Sequence, residues 1–209
     1  TLRLLRELHY KSRSWEELVS TLEGMAQLSE GARRARCKVE QGRIKESEQN
    51  DMEGAKAAYR EALDADPSFL DGFLALARVA RGTKDAEGLA DLYEREARRT
   101  DGSNSAFWYA RAARASQSTG PSAKRTIGLY SHAMASADAD STSVHREAQA
   151  HFLATDQTAA LLDALGKEAD LLEGTSKAGI LLEYAMIAEH DSSLQEDVIK
   201  RASEAVTAD

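Results

Sequence analysis

Three places in the 209-residue sequence hold residue types that chemistry uses. The segment Gly120 to Thr126, GPSAKRT, joins a glycine, a lysine and a threonine. A phosphate cradle needs G-x-x-x-x-G-K-[ST], because backbone N–H groups must turn inward around the anion, and that glycine spacing is missing. The segment reads instead as a loop that opens a helix at Pro121. Glu147 and His151 stand four apart, one helical turn, with His145 nearby. A metal pair would want both imidazoles on one face, yet His145 and His151 are six apart and point to different faces, and no third ligand keeps a ligating spacing. Cys37 is the only cysteine, so no intrachain disulfide forms. A thiolate nucleophile needs a nearby base, and no His–Asn or His–Asp arrangement accompanies it; a small packing residue is the plainer reading. Aspartates and glutamates interleave with lysines and arginines as helical ion pairs do, not as an acid/base dyad. We therefore expect no enzyme, no metal and no cofactor.

The elements that carry these residues read as helices throughout. Alanine, leucine, glutamate and arginine dominate, and valine and isoleucine never alternate with polar residues over a strand's length. The net charge of -8 argues against a general nucleic-acid binder, since phosphate contacts need clustered Lys and Arg. No run of about eighteen apolar residues is present, so no membrane span is expected. The compartment stays open, with a soluble cytoplasmic protein favoured over an exported one by a small margin. The chain opens without Met and inside a helical pattern, from which we expect a piece of a longer protein.

An internal repeat organises the chain. The segment Asp85 to Ala97, DAEGLADLYEREA, matches SWEELVSTLEGMA from Ser14 and DMEGAKAAYREAL from Asp51. Weaker copies begin near Ser122, Asp156 and Ser193. Leu18, Ala55, Leu89, Thr126, Leu161 and Val198 are the first anchors, about 36 residues apart as helical-hairpin repeats require. Four residues later, on the same helical face, stand Leu22, Tyr59, Tyr93, Tyr130, Leu165 and Ala202. A second helix precedes each of these. Phe73, Leu76, Ala77 and Ala80 define the clearest, over Ser68 to Arg81, and Leu181, Tyr184, Ala185 and Ala188 repeat its stripe. The helix around Gly42 fits least well, because Lys38 and Gln41 occupy apolar positions. Short polar breaks such as KSRS, RGTKD, TDGSNS, STGPS and SADADSTS separate the helices and supply caps and stops. Pro67 and Pro121 are expected in first helical turns. About twelve helices result, and since one hairpin leaves its apolar stripe bare, the pairs must stack.

The segment GAKAAYREALDADP, with Ala55, Tyr59, Ala62 and Pro67, resembles the second helix and closing proline of the tetratricopeptide repeat family, and Phe73, Leu76 and Ala77 resemble its next first helix. The WEEL and GLADLYEREA phrasing is similar to divergent bacterial arrays of that type. The resemblance implies an all-α, right-handed superhelical solenoid of about six antiparallel helix pairs. It would form a single array over 1–209, with units near 1–30, 31–66, 67–100, 101–138, 139–172 and 173–209. It further implies a non-enzymatic scaffold that binds a peptide or partner helix in a concave groove lined by first helices, within a larger assembly, oligomer or regulatory protein. By that alignment Asp71, Leu74, Arg78 and Arg81 face the groove, as do Arg36, Arg43, Tyr109, His145 and Gln149. Four arginines on that wall suggest an acidic or carboxylate-bearing segment in the partner. The family's carboxylate clamp uses Lys and Asn, and the asparagines here, Asn50 and Asn104, are expected in loops. Two other readings remain: a half-repeat RNA-processing scaffold, whose Tyr-Glu-Arg phrasing is similar, and a regulatory domain of an enzyme outside this segment.

Overall fold

The computed structural model describes residues 2–117, 123–137, 142–189 and 195–208, and among these the only regular elements are twelve α-helices. The chain divides into two compact units, Thr1–Leu89 and Ala90–Asp209. The first holds α1 (Leu2–Ser12), α2 (Trp15–Gln27), α3 (Gly31–Ser47), α4 (Met52–Ala65), α5 (Leu70–Gly82) and the start of α6 (Ala86–Arg99). The second holds the rest of α6, then α7 (Gly102–Gln117), α8 (Ala123–Ser136) and α9 (Thr142–Ala154). It ends with α10 (Thr158–Leu171), α11 (Gly174–Ala188) and α12 (Gln195–Ala208). Among the described residues no helix is long and apolar enough to cross a membrane.

The repeat is written into the backbone as well as the core. Asp51 and Asp85 cap α4 and α6, each accepting the N–H of the glycine three residues on, Gly54 at 2.8 Å and Gly88 at 2.9 Å. A side chain at either glycine would collide with the capping carboxylate, which explains the shared D-x-x-G phrase. Immediately before a helix start sit Arg13, Asn50, Lys84 and Asp156, all left-handed, at intervals of 37, 34 and 72 residues. Gly31, Gly102 and Gly174, also left-handed, open α3, α7 and α11 at intervals of 71 and 72. At those three positions glycine adopts positive φ without the Cβ penalty that Arg13, Asn50, Lys84 and Asp156 bear.

Within the first unit, α2 buries Leu18, Leu22 and Ala26 completely, and the two leucines cluster with Ile44 of α3. Consecutive helices from α1 to α5 pack on one another, and α3 also reaches α5. The second unit repeats the scheme from α7 to α12, with α7 also touching α9 and α8 touching α10. Ala169, Ala178, Leu181 and Ala205 form one of its apolar clusters, and Tyr130 meets Phe152 edge-on at 5.8 Å.

Some local expectations are corrected. Pro67 lies three residues ahead of α5, in a turn held by Phe69 N–H to the Asp66 carbonyl at 3.0 Å, and not in the helix's first turn. Asn104 lies inside α7 and not in a loop, since that helix begins at Gly102; Asn50 is in a loop as expected. The anchors Leu89, Val198 and Ala202 are half-buried rather than core. Pro121 and the STGPS break lie outside the described residues, as do residues 138–141 of SADADSTS.

A candidate partner-binding groove

In the first unit, α1, α3 and the entry to α5 enclose an open groove of about 720 Å³. Val39 and Ile44 of α3, 3% and 6% exposed, and the half-buried Trp15 supply its apolar floor. Tyr10 stands edge-on to Trp15, ring centroids 6.0 Å apart, and Phe69 closes the far side. Charged groups form the rim. Arg6 Nε donates to Glu40 at 2.9 Å, and Arg43 approaches Asp71 at 3.6 Å, so each pair links two helices of the wall. Lys11 and Arg36 also line the groove and make no ion pair among the described residues. Exposed pairs of this kind contribute at most about 1 kcal/mol, so they set direction more than stability.

Of the sequence-predicted residues, Arg36, Arg43 and Asp71 come together here. Leu74, Arg78 and Arg81 lie further along the exposed face of α5. Arg78 is not an open cation: it forms a two-toothed pair with Glu46, one bond at 2.8 Å, and the Tyr59 hydroxyl donates to the same carboxylate at 2.9 Å. With Arg43 and Arg78 matched by Asp71 and Glu46, these two are compensated before any partner arrives.

Tyr109, His145 and Gln149 belong to the second unit. Tyr109 stacks on His132, centroids 5.2 Å apart, and Gln149 Nε2 donates to Glu168 at 2.6 Å. His145 is a correction: it is fully buried, with no hydrogen-bond partner on either ring nitrogen, and so is no surface for a partner. It sits on the same buried α9 stripe as Val144, Ala148 and Phe152. The second unit repeats the tyrosine staple with charges exchanged. Arg114 of α7 pairs with Glu147 of α9 at 2.5 Å, and the Tyr130 hydroxyl from α8 donates to Glu147 at 3.0 Å. Burial raises the Tyr59 and Tyr130 phenols, and the adjoining carboxylates push the same way.

The residues first weighed for chemistry are absorbed by packing. Glu147 is occupied as above, and His151 lies against Tyr130 at 5.5 Å. Among the described residues no group of three or more ligating side chains is placed to hold a metal. Cys37 is buried, which raises its thiol pKa, the nearby Glu40 adding to the effect. Of GPSAKRT, residues 120–122 lie outside the described residues; Arg125 pairs with Asp91 and Glu94, and buried Thr126 bonds Ser116 at 3.2 Å.

Sequence reasoning missed Arg6, Tyr10 and Lys11, which give the groove its second wall. The signal was present, because Arg6 precedes Arg43 by 37 residues, the same interval that separates Leu18 from Ala55. No family model matches this chain, and neither does any curated protein.

Proposed function

We propose that the chain is a non-enzymatic interaction scaffold, a tetratricopeptide-like solenoid whose first helices hold a peptide or partner helix. The groove between α1, α3 and α5 carries this reading, since it joins an apolar floor to a charged rim with two cations unmatched. Such a surface supplies burial for affinity and charge for orientation. The recurrence of caps, left-handed residues and core anchors near every 36 residues supports the solenoid, because repeats of one hairpin stack in one direction.

Two measurements test the reading. Small-angle scattering is expected to give a radius of gyration well above the ~17 Å of a compact domain of this length, and a value at that figure would sink the solenoid. Peptides selected from a random library against the chain are expected to lose on the order of tenfold in affinity, about 1.4 kcal/mol, in Tyr10→Ala and Arg36→Glu. Arg98→Glu, on α6, serves as the control. Binders indifferent to both groove variants would remove the groove from the proposal.

A further inference from the structure

Beyond Arg6, Arg36 and Glu40, which it shares with the groove, a second concavity of about 550 Å³ continues toward the starts of α1 and α3. Arg3, Arg6, Arg33 and Arg36 line it, against a single acid, Glu40, which Arg6 already engages. Arg3, Arg33 and Arg36 are exposed and have no ion pair among the described residues. Several arginines elsewhere are matched: Arg43 by Asp71, Arg78 by Glu46, Arg114 by Glu147 and Arg98 by Glu94. The contrast extends to the whole chain. Residues 1–45 carry ten Lys and Arg against six Asp and Glu, while the remainder carries 17 against 29. Arg33 and Arg36 are also three apart on α3, where like charges repel. An anionic occupant relieves that repulsion.

From this arrangement we infer that the α1/α3 end of the groove docks an acidic segment of a partner protein, with Arg3, Arg33 and Arg36 receiving its carboxylates. The inference rests on the scaffold reading and adds the partner's chemistry. The floor chooses the class of occupant. Leu2, Leu22, Met25 and Leu28 are aliphatic, so they receive aliphatic side chains and offer no ring on which a nucleobase stacks. The net charge of -8 also opposes a long polyanion. The length of α1, eleven residues, sets a reach of about 16 Å. That accommodates a helix of about ten residues or an extended stretch of about five.

Fluorescence anisotropy with a labelled synthetic peptide of leucines and clustered glutamates, about twelve residues long, tests the inference. Binding is expected, weakening with salt, and weakening on the order of tenfold in the Arg33→Glu/Arg36→Glu double variant, as loss of charge-assisted contacts implies. Arg33→Gln/Arg36→Gln is expected to lose less, and Arg98→Glu nothing. The Trp15 emission of each variant, in a Trp108→Phe background, reports whether the first unit remains folded, and the milder Gln pair decides the matter if the Glu pair does not. Equal binding of a lysine counterpart, of a single-stranded oligonucleotide, or of a second copy of the chain would overturn the inference. Library peptides that bind the groove without charge preference would overturn it and leave the scaffold standing. A library yielding no binder at all would take both down.

Discussion

Tyr59→Ala is expected to lower the stability of the first unit by about 3–5 kcal/mol, the usual cost of emptying a large buried aromatic site. Tyr59→Phe is expected to cost only about 1 kcal/mol. The difference follows from what each part of the side chain touches. The ring is fully buried, and it lies so close over α3 that a Cβ at Gly42 would come within 2.7 Å of its Cδ1. Glycine at 42 is therefore a seat cut for this ring. The hydroxyl, by contrast, donates to a carboxylate that Arg78 continues to satisfy when the phenol is gone. Urea unfolding followed through Trp15, the tryptophan of this unit, in a Trp108→Phe background measures both variants. Equal losses for Phe and Ala would show that the hydroxyl, and not the packed ring, holds α4 to α3.

Gly42 and Tyr59 also show how far local pattern reaches. The anchor ladder placed Leu22, Tyr59, Tyr93, Tyr130 and Leu165 correctly in the core, because buried apolar residues at helical spacing leave a periodic trace in the chain itself. The helix around Gly42 looked defective because Lys38 and Gln41 stood where apolar residues belong. Both are buried, as the ladder requires, at 4% and 3% exposure. Lys38 Nζ reaches Glu23 at 2.6 Å and Glu61 at 2.5 Å, and Gln41 Nε2 donates to Glu23 and to the Val19 carbonyl, each at 3.0 Å. Burial opposes the Lys38 charge, yet these two carboxylates outweigh it and hold the pKa above its ordinary value. Partners fifteen to twenty-three residues away on other helices are what make a buried lysine tolerable, and no window of one helix displays them.

The groove was half legible for the same reason. Arg36, Arg43 and Asp71 follow from counting along first helices, so the wall made by α3 and α5 was accessible to alignment. Whether a guanidinium on that wall is open or spent depends on tertiary pairing. Arg78 and Arg36 look alike in sequence, but Glu46 closes the first and nothing among the described residues closes the second. His145 failed differently. Its neighbours Val144, Ala148 and Phe152 marked the buried stripe, and a histidine beside them was read by its polarity instead of its position.

That position has a consequence for pH. Between pH of about 7.5 and about 5.5 the second unit is expected to lose stability, with His145 contributing at most about 1.4 kcal/mol per pH unit. His145 is wholly buried and neither nitrogen has a partner, so charging it in place is costly. Burial accordingly lowers its pKa; Glu168 of α10 pulls it partly back up, and Lys167 adds to the depression. The sign follows from which state takes the proton first. As pH falls past the ordinary histidine value of about 6.5, the unfolded chain binds a proton that the folded one refuses, and unfolding gains. Half-buried His151, also depressed by burial, adds slope in the same direction. Glu23, Glu46 and Asp85, whose pKa values are lowered by their cationic partners, belong to the first unit and lose their contribution only in stronger acid. His145→Leu keeps the site apolar and removes the titration, so the variant is expected to be the more stable protein at the lower pH. Glu168→Gln, which deletes the one opposing carboxylate, is expected to steepen the loss. Urea unfolding read through Trp108 in a Trp15→Phe background isolates the second unit. A slope unchanged by His145→Leu would mean that the imidazole is already charged or solvated in the folded state, and that α9 does not pack as these contacts require.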